Sequence, residues 1–281
     1  MGSQKRSALS RFQAGGRAWW ETAISDVAPG RIVLRGHRVE DLIGSMSYAG
    51  IVGLLVANRE LSEAQARLLE AALVAGVDHG VRAPSIAAAR MAATCGIPLN
   101  CAVATGLNML GDDHGGAAEQ CMEMIFEVAG TGTDDVSALE SRAKAVVDRC
   151  LKSGAHLPGF GHQLHKVVDP RRAPLLRLVD EAVGAGEIPG QFARAGIALE
   201  SALSVAKRRS LTMNIDGATA VIYCELGFPA LAAKGLFCLS RGVGLVAHAL
   251  EEMTSGTLVK GPCPPGDELV RYTGPPPPVR S

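Results

Sequence analysis

Leu157-Pro-Gly-Phe-Gly-His162-Gln-Leu-His165-Lys-Val-Val-Asp169-Pro-Arg171 is the stretch around which the rest of the chain is read. Gly159 and Gly161 permit backbone with positive φ and let a ligand come close to the main chain. His162 follows the second glycine and stands at the lip of that turn. The residue before a proline is pushed out of the helical region, so Asp169-Pro170 marks a boundary. Arg171 then presents a planar fork suited to a carboxylate or phosphate. Taken alone, the stretch reads equally as a glycine turn with a surface histidine and a helix start. Its meaning depends on its company.

Composition narrows that company. The chain has 281 residues, enough for one large domain or two modest ones with buried cores. Apolar residues make up 47% and aromatics 4%, a mix that favours packed helices over a β-sandwich. Lys+Arg and Asp+Glu both number 28, so no global field points to nucleic acid. Seven cysteines without a CxxC pair are expected to be buried thiols of a reducing compartment. No run reaches the roughly 18 apolar residues of a membrane span. There is no signal-peptide pattern, and Arg6 breaks the myristoylation pattern at the N-terminus. The expectation is a soluble, cytoplasmic protein with neither a nucleic-acid nor a membrane partner.

Working outward, residues 1–30 read as an extension docking through Trp19 and Trp20, and Arg31–Arg35 is the one strand-like run, ended by Gly36. Ser47 caps the second of two short helices between Val39 and Ala57. Ser62-Glu-Ala-Gln65 is a capping box. Pro84 suits a first helical turn, and Pro98 opens a helix whose Ala102, Ala104 and Gly106 allow close packing. Helical runs follow at about 116–129, 136–152, 172–184, 190–208, 218–226 and 230–253. The tail from Gly261 is proline-rich and reads as extended. Ten or more helices and almost no sheet are expected.

Four polar islands interrupt this pattern: Asp78-His79, Asp112-Asp113-His114, Gly161-His162 and Asn214-Ile215-Asp216. Each has a bland explanation as a helix cap or surface histidine. A metal reading is weak, because no HExxH or other tight ligand spacing occurs.

Together the islands resemble the citrate synthase superfamily and, within it, the citryl-CoA lyases, over roughly residues 31–274. Leu34-Arg35-Gly36-His37 is similar to that family's opening segment, and Asp78-His79-Gly80 to its Asp-His motif. His114-Gly115-Gly116-Ala117 is similar to His-Gly-Gly-Ala, and Gly159-Phe-Gly-His162 to Asp169-Pro-Arg171 to the family's longest motif. Asn214-Ile-Asp216 resembles Asn-Val-Asp, Ser240-Arg241 with Gly244 resembles the arginine-bearing helix, and Tyr272-Thr-Gly274 the closing motif.

The resemblance implies an all-α, two-domain helical fold with a small amount of β at its start. It also implies His114 on the thioester carbonyl oxygen, His162 on the ketone or hydroxyl oxygen, and Asp216 at the methyl carbon of acetyl-CoA. His79, Arg171 and Arg241 would hold oxo-acid carboxylates; Leu157, Pro158, Gly159, Phe160 and Gly161 would receive the adenine of CoA, and Lys166 a CoA phosphate. No permanently bound cofactor or metal is implied; the CoA thioester is substrate.

Residues 1–30 would be an extension, 31–115 the first part of a large domain, 116–227 a small domain, and 228–281 the rest of the large domain and tail. Glycines at 115–116 and 227 would act as hinges. The long apolar runs and the resemblance imply a homodimer or larger homo-oligomer.

Two departures favour cleavage of citryl-CoA to acetyl-CoA and oxaloacetate. Asp216 is followed by Gly217, as in the lyase module of ATP-citrate lyase, and the synthases' Arg-Pro-Arg context before the final motif is missing. Lys260 and Arg271 are the candidates for the missing third carboxylate-binding cation. The alternatives are a synthase running the condensation, cleavage of a related acyl-CoA such as citramalyl-CoA, a non-catalytic CoA or citrate sensor, and a metal-dependent hydrolase.

Overall fold

A computed structural model describes residues 19–130, 135–154, 156–161, 168–264, 266 and 269–276. The chain divides into two compact units at Ala66/Arg67.

The first unit opens with an antiparallel meander: β1 (Ser25–Ala28), β2 (Arg31–Leu34) and β3 (His37–Arg38). Ala28 pairs with Arg31 across Pro29-Gly30, and Leu34 pairs with His37 across Arg35-Gly36. Arg35 and Gly36 both have positive φ, the twist that suits a two-residue hairpin. The expected single strand is therefore the middle of three. Its neighbour at 25–28 is polar and exposed, and carries no alternating pattern to reveal it. Trp19 and Trp20 are exposed. Helices α1 (Val39–Leu42) and α2 (Tyr48–Ala57) follow, and Ser47 caps α2 by accepting from Gly50 N at 3.1 Å. The capping box is reciprocal: Gln65 N donates to Ser62 Oγ and Ser62 N to Gln65 Oε1, both at 3.2 Å. It opens α3 (Glu63–Gly76), whose length runs across the boundary between the units.

The second unit is helical. α4 (Pro84–Thr94), α5 (Leu99–Asn108) and the long α11 (Ala232–Thr254) pack on one another. Their interface is built from Ile86, Ala89, Ala93, Ala102, Leu245 and Ala249, all buried. Ala102 and Gly106 lie on that interface, whereas Ala104 is exposed, one turn position off the packed face.

A further set comprises α6 (Ala117–Ala129), α7 (Val136–Lys152), α8 (Arg172–Gly184), α9 (Gln191–Lys207) and α10 (Ile215–Glu225). α10 packs on α6, α8 and α9, and every one of its residues except Asp216 is buried. A helix apolar on all sides belongs at the centre of its layer. The all-α fold with a small N-terminal sheet is what the sequence leads one to expect. Among the described residues no helix is long and apolar enough to cross a membrane. The cysteines differ from expectation: Cys121 and Cys224 are buried, but Cys95, Cys101 and Cys263 are exposed, and Cys150 and Cys238 half-buried.

Candidate active site

The start of α10 explains itself from the sequence upward. Asn214, not Asp216, caps the helix; its Oδ1 accepts from Asp216 N at 2.8 Å and Gly217 N at 3.2 Å. The same side chain donates through Nδ2 to Gly161 O at 2.8 Å, and Asn214 N donates to Gly159 O at 2.9 Å. Gly161 N donates to Thr212 O at 2.9 Å. The turn at 157–161 is thereby stitched to the approach of α10, with Gly159 and Gly161 at φ 86° and 74°. A methyl on Gly217 would sit 2.3 Å from Gly159 O, so glycine at 217 is a steric requirement of this turn.

With capping delegated to Asn214, the Asp216 carboxylate is released for other work. Its Oδ1 is shielded from solvent and has no hydrogen-bond partner among the described residues. Burial pushes its pKa up to about 6, against the pull of the Arg171 and Arg241 charges. Unpaired burial disfavours the charged form of a carboxylic acid, and a base poised near neutrality is the usual result.

Asp169 is buried and binds Arg171 through two parallel bonds, from Nε at 2.9 Å and from Nη2 at 2.8 Å. It also accepts from Ile215 N at 3.1 Å. The Asp169-Pro170-Arg171 boundary is thus fastened to the helix that bears Asp216. Glu200 performs a similar tie, bridging Arg172 and Met213 N.

His114 sits in a tight loop in which Gly111 N donates to His114 O at 2.9 Å and His114 N to Gly111 O at 3.1 Å. Its Nε2 lies 3.0 Å from Ser85 Oγ and 3.3 Å from Ser85 N. Arg241 Nη1 donates to Ser85 Oγ at 3.1 Å. A backbone N–H only donates, so His114 Nε2 accepts from Ser85 N, and the Ser85 hydroxyl, which accepts from Arg241, gives its own hydrogen to the same nitrogen. The imidazole proton therefore resides on Nδ1. Burial, then the charges of Arg241 and His79, hold the His114 pKa below its ordinary value and keep the ring neutral. Arg241 is itself buried, with Nε on Gly76 O at 3.0 Å and its guanidinium 4.9 Å from the Phe237 ring centre.

Arg241 is the common electrostatic neighbour: its charge acts on His114 and on Asp216 and is felt with that of Arg171, while His79 neighbours His114. His162 and Lys166 lie outside the described residues. Lys260 Nζ is 4.0 Å from Glu252 Oε1. Glu252 is eleven residues beyond Arg241 on α11, or about 16 Å along the axis, which separates Lys260 from Arg241 within one chain. Arg271 is exposed. Sequence reasoning missed Ser85, a helix-start serine with no motif of its own. It also read Lys207, Arg208 and Arg209 only as a helix terminus, although they directly precede the 211–213 segment joined to the turn. A groove of about 640 Å³ between α7 and α9 contains none of the site residues. Among the described residues no three or more His, Cys, Asp or Glu gather as metal ligands would.

The sequence profile described as "Citrate synthase, C-terminal domain" matches residues 56–261. The citryl-CoA lyase of Hydrogenobacter thermophilus is 32% identical and superposes with a TM-score of 0.81, covering 94% of this chain and 98% of that one. The citrate synthase of Haloferax volcanii is 29% identical over 231 residues, which are 82% of this chain and 56% of that protein. The ATP citrate lyase of Methanothrix soehngenii, solved with citrate and coenzyme A, shares the fold at 22% identity and a TM-score of 0.77, over 96% of this chain and 44% of its own. The chain spans about half the length of the curated relatives it matches.

Proposed function

Since this chain belongs to the citrate synthase family, we propose that it cleaves citryl-CoA to acetyl-CoA and oxaloacetate by a retro-Claisen/aldol reaction. The observation that carries this reading is the pairing of two unlike groups: a neutral His114 with its hydrogen on Nδ1, and an Asp216 whose shielded Oδ1 has no partner among the described residues and whose pKa is raised to about 6. Carbon–carbon cleavage next to a thioester releases an enolate. Such an oxyanion needs a preorganised donor, and its carbon then needs an acid. A donor of this kind is worth roughly 3–4 kcal/mol, and a positioned acid–base group about 10²–10⁴-fold.

In this reading His162 takes the hydroxyl proton of citryl-CoA as the bond breaks. His114 donates through Nδ1–H to the thioester oxygen of the departing enolate, and Asp216 delivers a proton to its carbon. His79, Arg171 and Arg241 bind the carboxylates of the oxo acid. The backbone of Leu157–Gly161 receives the adenine of CoA, with Lys166 and the basic Lys207–Arg209 run near its phosphates. Similarity to the Hydrogenobacter lyase across most of the chain supports the cleavage direction; similarity to the Haloferax synthase supports condensation as the second reading.

Closure belongs to the same proposal. Segments 31–115 and 228–281 act as one domain and 116–227 as the other, excluding water from the enolate. The active form is a homodimer or larger assembly, cytoplasmic. Its association is supported by Leu239, Val243, Val246 and Leu250, exposed along one face of α11. The test offers citryl-CoA to the protein and follows oxaloacetate with a coupled reduction. Oxaloacetate release outpacing citrate formation from acetyl-CoA and oxaloacetate is the expected result. Faster citrate formation assigns the synthase reading instead.

A further inference from the structure

Three positions one turn apart on α11 meet three consecutive residues of the segment that leads into His79. Arg241 Nε holds Gly76 O at 3.0 Å. Gly244 leaves room for Val77 O, which a methyl there would meet at 2.1 Å. His248 Nε2 lies 3.2 Å from Asp78 Oδ1. Asp78 Oδ2 in turn accepts from Gly80 N at 3.2 Å, closing a turn around the backbone of His79. Behind His248 stands Arg90 of α4, whose Nη1 is 3.0 Å from His248 Nδ1 and 3.0 Å from Glu251 Oε1. The other arm of Arg90 pairs with the buried Glu252.

A guanidinium only donates. Nδ1 of His248 must therefore accept, its ring hydrogen is on Nε2, and Nε2–H donates to Asp78. The direction of both bonds made by the His248 ring follows from that single constraint. A histidine used merely to fill space would not need both ring nitrogens engaged.

We propose that His248 is a positioning residue: held by Arg90, it fixes the Asp78 carboxylate and so sets the His79 turn for binding an oxo-acid carboxylate. This rests on the reading of His79 given above. Bonds to a charged group are the stronger kind, and partners behind a ligating histidine commonly govern its orientation.

The test compares His248→Gln, which can still donate from about the place of Nε2, with His248→Phe, which keeps the bulk and cannot. Oxaloacetate and CoA affinities are measured on both, with melting temperature. His248→Phe is expected to weaken oxaloacetate about tenfold, the loss of one bond to a carboxylate, with CoA affinity unchanged. His248→Gln should recover most of that loss. Wild-type oxaloacetate affinity in His248→Phe, or equal weakening in both variants, overturns the proposal. A protein whose wild type binds no oxaloacetate overturns the reading of the site instead. The bridge itself is then decided by the ring nitrogen resonances: a hydrogen on Nε2 that Arg90→Leu redistributes supports it, and one on Nδ1 overturns it.

Discussion

The surroundings of His114 and of Asp216 are built on opposite plans. Around His114 the described groups engage one another: Ser85 engages Nε2, Arg241 engages Ser85, and Gly76 O engages Arg241. Around Asp216 the backbone is bonded with equal care, yet the carboxylate Oδ1 has no partner among the described residues. The first plan suits the donor role proposed for His114, since a fixed donor need not reorganise when charge develops. The second leaves one shielded carboxylate oxygen without a partner among the described residues, which suits the acid–base role proposed for Asp216.

The sharpest way to break this contrast is Asp216→Asn. It is expected to lower citryl-CoA cleavage by about 10²–10⁴-fold, while CoA-thioester affinity holds, since the 157–161 turn is bonded by Asn214 and not by Asp216. Turnover within a few fold of wild type would leave Asp216 without its role. On the other side, His114→Phe is expected to cost about 10²–10³-fold in kcat, read as kcat against KM.

The same Asp216→Asn variant should also change stability. The folded-state pKa of Asp216 is raised to about 6 from an ordinary 3.8. Below the ordinary value both states hold the proton, and the full stability is present. As pH rises through the folded pKa, the charge must be buried, and that stability is lost, by about 3 kcal/mol. Asn carries no charge to bury. The variant should therefore match wild type in denaturant midpoint near pH 4 and exceed it near pH 8. Equal midpoints at both values would remove the claim of an uncompensated charge. The smallest expected effect is that of Ser85→Ala, which removes the hydroxyl link between Arg241 and His114 but keeps the backbone N–H on Nε2, and should cost about one hydrogen bond, roughly tenfold or less in kcat.

How much of this could be read beforehand depends on the range of the interactions involved. The helices at 136–152 and 172–184, the Ser62–Gln65 box and the Ser47 cap follow from local spacing and local capping, and the structure bears them out. The first strand, polar and exposed, exists because its hairpin partner does, and left no pattern to detect. The Asn214-Ile-Asp216-Gly217 island was visible, but its logic was not. That Gly217 answers to a carbonyl 58 residues earlier, at Gly159, requires the fold. Ser85 and His248 are likewise ordinary residues until distant segments give them partners at 3.0 Å and 3.2 Å.

The central claim is that one chain breaks a carbon–carbon bond and returns a proton to the released carbon. Citryl-CoA incubated with the protein in D₂O, with its thioester products weighed by mass spectrometry, tests it directly. The expected product is acetyl-CoA carrying one deuterium in its methyl group, formed faster than free CoA, and lost in Asp216→Asn. Free CoA and citrate accumulating ahead of acetyl-CoA would contradict it.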